Sequence, residues 1–183
     1  MTQKLSKALI VADPWISKIM NGSKIWEMRS RAASHRGLFG LIRKGSGAVY
    51  AVANLVDVGP ALSVDEMIDA FDKHQIPTDR IRSGELSKWN VPWILSDVRQ
   101  LEVPIRYCHK SGAVTWVDLE PDVASAISDQ LELVHDANDI RLQSIDMTTK
   151  NLDDPRDNVI TSARSSGVAR TPSFSCIGKK MGE

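Results

Sequence analysis

The sequence is poor in cysteine and contains no long apolar run. Its two cysteines, Cys108 and Cys176, are too few and too far apart for a disulfide framework or for a zinc site with recognisable ligand spacing, so we interpret both as reduced. The apolar run over residues 8–12 is shorter than the core of a signal peptide and is followed by Asp13 and Pro14. Because no stretch approaches the length of a transmembrane helix, we expect a cytoplasmic protein with no membrane partner.

The chain also lacks a net charge, since 23 basic residues balance 23 acidic ones. This balance excludes the strong positive field with which some proteins coat nucleic acid nonspecifically. One window is different, because between positions 24 and 44 the only acid is Glu27, against six basic residues: Lys24, Arg29, Arg31, Arg36, Arg43 and Lys44. Any contact with nucleic acid is therefore expected to be local.

What the sequence does contain is a series of short apolar strands with brief helices between them. The patterns predict helices that begin near residue 14, run over 64–73 and begin again at Pro121, and a surface loop over 74–91. They predict strands over 5–12, 24–31, 37–43, 48–58, 93–95, 98–107 and 112–119. Many short strands with few helices favour an α+β fold built on a β-barrel over a parallel sheet.

The pattern changes near the C-terminus. From about residue 137 the periodicity disappears, and the last residues are mostly Ser, Gly, Arg, Lys and Thr. Such a composition cannot bury enough apolar surface to form a core. We therefore predict one domain over residues 1–136 and a flexible C-terminal extension over residues 137–183.

The predicted strand over residues 24–31 carries most of the candidate chemistry. Its alternation places Trp26 and Met28 on one face and Glu27, Arg29 and Arg31 on the other. Lys24 lies at the strand entrance, where it could form an ion-paired cluster with Glu27 and Arg29. In such a cluster the planar guanidinium of Arg29 can hold a phosphate or carboxylate. If the cluster is partly dry, desolvation and Arg29 would lower the pKa of Lys24 from about 10.4, and Glu27 would oppose that shift. The plain alternative is an ion pair on a solvated sheet face, with a stabilisation of ~0–1 kcal/mol.

Three blocks of sequence resemble the ASCH family. Residues 14–16 (Pro-Trp-Ile) are followed by residues 22–29 (Gly-Ser-Lys-Ile-Trp-Glu-Met-Arg), which match the family's Gly-x-Lys-x-x-Glu-x-Arg run after a short helix, and then by residues 35–37 (His-Arg-Gly). Residues 51–57 and 112–117 resemble the family's central and closing strands. The resemblance implies a PUA-like barrel of mixed and antiparallel strands with short flanking helices and a C-terminal helix. It also implies a cleft whose ligand is RNA, a modified nucleoside or a related nucleotide.

On this basis we predict two sets of site residues. The catalytic candidates are Lys24, Glu27 and Arg29. The candidates for ligand binding are Trp15, Arg31, His35, Arg36 and Trp93. The tryptophans are chosen because Trp15, Trp89 and Trp93 lie near a helix start or the long loop and can wall a cleft, whereas Trp26 and Trp116 sit in apolar strand patterns typical of a core. No histidine has metal-ligand spacing, so no metal and no cofactor is predicted.

Two kinds of function agree with these residues. The first is a binding module that recognises RNA or a nucleotide and needs no nucleophile. The alternative is a hydrolase, since the resemblance includes amidohydrolases that act on N4-acetylcytidine, with Lys24 in the place of their base. Those enzymes carry threonine where this sequence has Glu27, so Glu27 would activate water and Lys24 would stabilise the oxyanion. Ribonuclease activity, also found in the family, would use Glu27 as base with Lys24 and Arg29 on the phosphate.

Overall fold

The computed structural model describes residues 5–109 and 112–133. The strands are β1 (Lys7–Val11), β2 (Trp26–Arg29), β3 (Gly37–Arg43), β4 (Ala48–Val58), β5 (Val91–Arg106) and β6 (Trp116–Asp118). The helices are α1 (Trp15–Met20), α2 (Val64–Asp69), α3 (Phe71–His74) and α4 (Thr78–Arg82), and residues 121–133 are also helical (α5). All six strands belong to one compact unit, Met1–Leu131.

The strands form one six-stranded sheet in the order β2-β5-β4-β3-β1-β6. Only β1 and β3 run parallel, whereas the other neighbours in this sheet are antiparallel. The long strand β5 pairs with β2 through its first residues and with β4 along most of its length, and three register shifts interrupt the second pairing. Bulges of this kind bend a sheet and increase its twist, and the sheet here curves into a half-barrel.

Apolar side chains cover both faces of this sheet. On one face Ala8 and Ile42 pack with the buried side chains of α5, Val123 and Ile127. On the other face the residues adjacent to these in each strand pack against α1, in a cluster that includes Leu9, Leu41, Ile16 and Ile19. This double burial explains why β1 and β3 are almost continuously apolar instead of alternating.

A smaller cluster joins the helical segment between β4 and β5 to β2. Met28 of β2 packs there with Met67, Ile76, Ile81 and Leu86. This contact fixes the segment that contains α2, α3 and α4 beside the strand with the ionic side chains.

The predicted fold class is confirmed: the unit is an α+β fold with a mixed sheet, short flanking helices and a helix after the last strand. Several element bounds differ. The helix predicted over 64–73 is interrupted at Ala70, and its two pieces bury Met67 and His74 while Val64 and Phe71 are exposed.

Other local predictions also require correction. The polar stretch predicted as a loop over 74–91 contains α4, whose Ile81 is buried. The strands predicted over 93–95 and 98–107 form the single strand β5, and the last strand is shorter than predicted. The reduced state expected for Cys108 is wrong, because this residue is disulfide-bonded.

The predicted boundary between residues 1–136 and 137–183 stays a prediction, and the extension lies outside the described residues. Among the residues that the structure describes, no helix is both long enough and apolar enough to cross a membrane.

Candidate functional site

A cleft of about 570 Å³ opens beside β2 within the compact unit. Its floor is formed by β2 and by Lys24 just before it, and its walls come from four places in the chain. These are the end of β1 with the first residue of α1, the turn after β3, the α4 segment with the turn that follows it, and residues 114–115 before β6. The volume falls within the range of about 300–1,000 Å³ typical of small-ligand sites.

Lys24 is almost completely buried, at 2% exposure, although it is a charged residue. Its Nζ donates to the carbonyl oxygens of Trp26 and, at 3.2 Å, of His74, and it lies 3.4 Å from Oε2 of Glu27. Burial lowers the pKa of Lys24 below its ordinary value of 10.5, and the charge of Glu27 opposes this effect. Three acceptors surround the nitrogen, which matches the three hydrogens of an ammonium group.

The carbonyl oxygen that receives Lys24 belongs to a well-fixed residue. The His74 side chain is fully buried, its Nε2 lies 2.7 Å from the carbonyl oxygen of Met67, and its Nδ1 accepts the backbone N–H of Ile76 at 3.0 Å. A carbonyl can only accept and a backbone N–H can only donate, so these contacts assign the hydrogen of the neutral ring to Nε2. The α3 turn therefore holds Lys24 in place.

Glu27 is the central residue of the cluster. It is 7% exposed, lines the cleft, and lies opposite Trp93 in the β2–β5 register. One carboxylate oxygen faces Lys24, and the other lies 3.1 Å from Nε of Arg29. A carboxylate in this position can only accept hydrogen bonds, and its two cationic neighbours compensate its burial.

Arg29 completes the ionic group at the end of β2. One terminal nitrogen donates to the Ile10 carbonyl at 3.2 Å, and the guanidinium lies 5.6 Å from the ring centroid of Trp93. Its Nε is buried and, despite the contact with Glu27, makes no hydrogen bond within the described residues. Arg29 is therefore anchored at one end of its guanidinium while its Nε retains a donor without a hydrogen bond.

Two tryptophans line the cleft, Trp15 at the start of α1 and Trp89 after α4. The Trp15 ring has the ammonium groups of Lys18 and Lys24 at 5.5 and 5.4 Å from its centroid. Trp89 is 37% exposed and has the ammonium group of Lys88 at 4.6 Å. Both rings combine apolar surface with adjacent positive charge.

Four of the predicted site residues meet in this cleft: Lys24, Glu27, Arg29 and Trp15. Trp93 does not line it, because its ring is 4% exposed, is stacked on Trp116 and donates from Nε1 to the carbonyl of Arg31. Trp93 instead lies next to Arg29, whose guanidinium is 5.6 Å from the centroid of its ring.

The three predicted ligand-binding residues that follow β2 also lie away from the cleft. Arg31 is exposed, and Arg36 donates to two nearby carbonyls and pairs with Asp57 at 3.7 Å. His35 packs against Phe39 and Trp116. None of the three lines the cleft or joins the ionic cluster of Lys24, Glu27 and Arg29.

Four polar side chains of the cleft wall were not predicted as site residues. Lys44, Arg80, Glu85 and Thr115 line the cleft, with Arg80 and Glu85 paired at 2.6 Å. Lys44 belongs to the basic window that the charge count identified, which was the available signal for it. Arg80 and Glu85 come from the stretch predicted as a loop, and no sequence signal connects them with β2.

No family model matches the sequence, and no curated protein matches it. Among solved structures, the fold is similar to that of ASCH from Zymomonas mobilis, with a TM-score of 0.55 and 12% identity over 69% of this chain and 94% of that chain. Two mutant proteins of the same ZmASCH match with a TM-score of 0.54, again at 12% identity and 69% coverage of this chain, and with 98% and 95% of their own chains covered. This likeness shows the fold, and it confirms the predicted ASCH architecture.

Proposed function

We propose that the cleft binds RNA, a modified nucleoside or a related nucleotide, with the base directed at Glu27. The observation that carries this proposal is a buried carboxylate between two cations on the floor of a cleft with tryptophan in its walls. Nucleobase edges present N–H donors beside acceptor atoms, and Glu27 with Arg29 offers the complementary acceptor and donor. A ligand without such an edge would leave the buried carboxylate without a hydrogen-bonded partner on the cleft side.

The surroundings of Glu27 support a flat, polar ligand over an apolar one. Trp15 supplies aromatic surface beside Lys24, and stacking on a tryptophan contributes about 1–3 kcal/mol per base. The likeness to the ASCH fold agrees with this ligand class, since the family resemblance in the sequence implies an RNA or nucleotide ligand. The cytoplasmic location expected from the sequence stays a prediction.

Hydrolysis is the second candidate function, and the lowered pKa of Lys24 is the observation that favours it. Lys24 is, however, surrounded by two carbonyl oxygens and a carboxylate, so its hydrogens are directed at the protein. In this arrangement Lys24 acts as a positioning residue for Glu27. A hydrolytic reaction would then need Glu27 to take a proton from water, with Arg29 stabilising the developing oxyanion.

The test measures binding and turnover with the same proteins. N4-acetylcytidine, the four ribonucleosides and labelled single-stranded RNA are titrated into the wild-type chain, Glu27→Gln and Trp15→Phe, and deacetylation and RNA cleavage are followed in parallel. Glu102→Gln is the matched control, because Glu102 is an exposed acid on β5 outside the cleft. Thermal unfolding of each variant checks that the fold is retained.

We expect Glu27→Gln to weaken binding by about ten- to a hundredfold, the value of a hydrogen bond to a charged group, and Glu102→Gln to leave it unchanged. Turnover that disappears in Glu27→Gln would select the hydrolase, and binding without turnover would select the binding module. Equal affinities for Glu27→Gln and the parent protein would refute the proposed site.

A further inference from the structure

The cleft carries an excess of positive charge that a neutral base cannot use. Its lining contains four cationic side chains, Lys24, Arg29, Lys44 and Arg80, against the two carboxylates of Glu27 and Glu85. Lys24 and Arg29 share Glu27, and Arg80 pairs with Glu85. Because the whole chain has equal numbers of acids and bases, this surplus is a property of the cleft and not of the protein in general.

Lys44 is the cleft cation that the protein leaves uncompensated. It follows β3, and its backbone N–H donates to the carbonyl of Val11 at 2.9 Å, which fixes the turn against the end of β1. The side chain is exposed, and within residues 5–109 and 112–133 it makes no ion pair and no hydrogen bond. The preceding Arg43, in contrast, is paired with Asp13. A phosphate is an anion of the size and charge that an uncompensated ammonium group at a cleft wall can bind.

Trp89 is the aromatic ring of the cleft with the larger free surface. Trp15 is partly buried and already has two lysine ammonium groups close to its ring. Trp89 is 37% exposed, and its backbone N–H donates to Leu86 at 2.8 Å, so the turn that presents the ring is hydrogen-bonded. An exposed indole beside a lysine is the combination that proteins use to stack successive bases of a single strand.

We propose that the cleft takes a single-stranded oligoribonucleotide of at least two nucleotides, with one base at Glu27, a phosphodiester at Lys44 and a neighbouring base stacked on Trp89. This inference rests on the proposed function, because it extends the ligand outward from the base bound at Glu27. It accounts for the two wall residues, Lys44 and Trp89, that binding of a free nucleoside would leave without a role.

The experiment compares nucleosides with RNA tetranucleotides of the same base. Affinities are measured between about 50 and 200 mM salt for the wild-type chain, Lys44→Gln, Trp89→Ala and Trp89→Phe, with Glu27→Gln as the variant of the base site. Lys7→Gln is the matched control, because Lys7 of β1, whose side chain is 42% exposed, pairs with Asp118 outside the cleft.

We expect the best tetranucleotide to bind at least about tenfold tighter than its nucleoside, from the added stacked base. Lys44→Gln should reduce the slope of log K against log salt by about 0.7 for the tetranucleotide, the value for one phosphate contact on a single strand, and should leave nucleoside affinity unchanged. Trp89→Ala should weaken only the tetranucleotide, by about tenfold, and Trp89→Phe should restore most of the loss.

Failure of this inference differs from failure of the proposed function. If nucleosides bind in a way that depends on Glu27 and tetranucleotides bind no tighter, or if Lys44→Gln gives the same salt slope as Lys7→Gln, the extended ligand is refuted and the base site stands. If no nucleoside and no tetranucleotide binds, both proposals are refuted.

Discussion

Replacing Lys24 by methionine tests the electrostatic core of the site. The change keeps most of the side-chain volume and removes the ammonium group that lies between Glu27 and the carbonyls of Trp26 and His74. Removing one partner of a buried ion pair costs about 3–5 kcal/mol, because the other charge stays buried without compensation. Glu27 retains Arg29 at 3.1 Å, which reduces this cost, whereas the carbonyls of Trp26 and His74 lose their charged donor, which increases it. We therefore expect the free energy of unfolding to fall by about 4 kcal/mol.

The assay is urea unfolding with matched controls. Lys7→Met breaks an ion pair with a shorter N–O distance, 2.6 Å, but both partners are exposed, so its cost should be only about 0–1 kcal/mol. Adding Glu27→Gln to Lys24→Met should recover part of the lost stability, since the second change removes the uncompensated charge. The reasoning is refuted if Lys24→Met costs no more than Lys7→Met, or if the double variant is less stable than Lys24→Met alone.

Two further predictions concern the supports of the site. Burial lowers the pKa of His74 below 6.5. Below pH 6.5 the unfolded chain therefore binds more protons at this residue than the folded chain does. The free energy of unfolding should for this reason decrease as the pH falls below 6.5. Urea midpoints between about pH 5 and 8 should show a smaller slope for His74→Gln than for the parent, and equal slopes would contradict this. A Cβ added at Gly40 would lie 3.1 Å from both Ala8 Cβ and Val49 Cγ1, so Gly40→Ala should cost about 1–3 kcal/mol by overpacking, and an unchanged midpoint would contradict the close β1–β3 packing.

The inner part of the site could be predicted from the sequence because it depends on local geometry. Alternation along a strand places Glu27 and Arg29 on the same side at any position of that strand in a fold, and the two side chains do meet. The short helix before β2 also followed from local signals, and Trp15 at its start lines the cleft.

The outer part could not be predicted, because it depends on contacts between distant residues. Lys24 is buried among groups that include the His74 carbonyl, fifty positions later in the chain. The basic residues Arg31 and Arg36 belong to the same charged window as Lys44, but the chain turns away after β2 and their side chains find partners or solvent there. The charge pattern of a sequence does not predict in which direction the chain continues after a strand ends.

Trp89 and Trp93 also show that burial depends on contacts that the sequence does not predict. Proximity to the long loop made both Trp89 and Trp93 candidates for the cleft wall, yet one is exposed in the cleft and the other is buried on Trp116. The difference arises because Trp93 lies in β5 with its ring on the core side, whereas Trp89 lies in the turn that precedes the strand. If β5 had been predicted to begin at Val91, alternation would have placed Val91 and Trp93 on one face of the strand. It would not have shown that this face is buried.

The most direct measurement of the central claim is an NMR titration that observes the Glu27 side-chain carboxyl and the tryptophan indole N–H groups. The probes are N4-acetylcytidine, the four ribonucleosides and their RNA tetranucleotides, with the Glu27 signal assigned by its loss in Glu27→Gln. We expect at least one probe to shift the Glu27 carboxyl signal and the indole signal of Trp15 or Trp89, while the Trp116 indole signal does not shift. A bound probe that leaves the Glu27 carboxyl unshifted and moves signals only outside the cleft would contradict it.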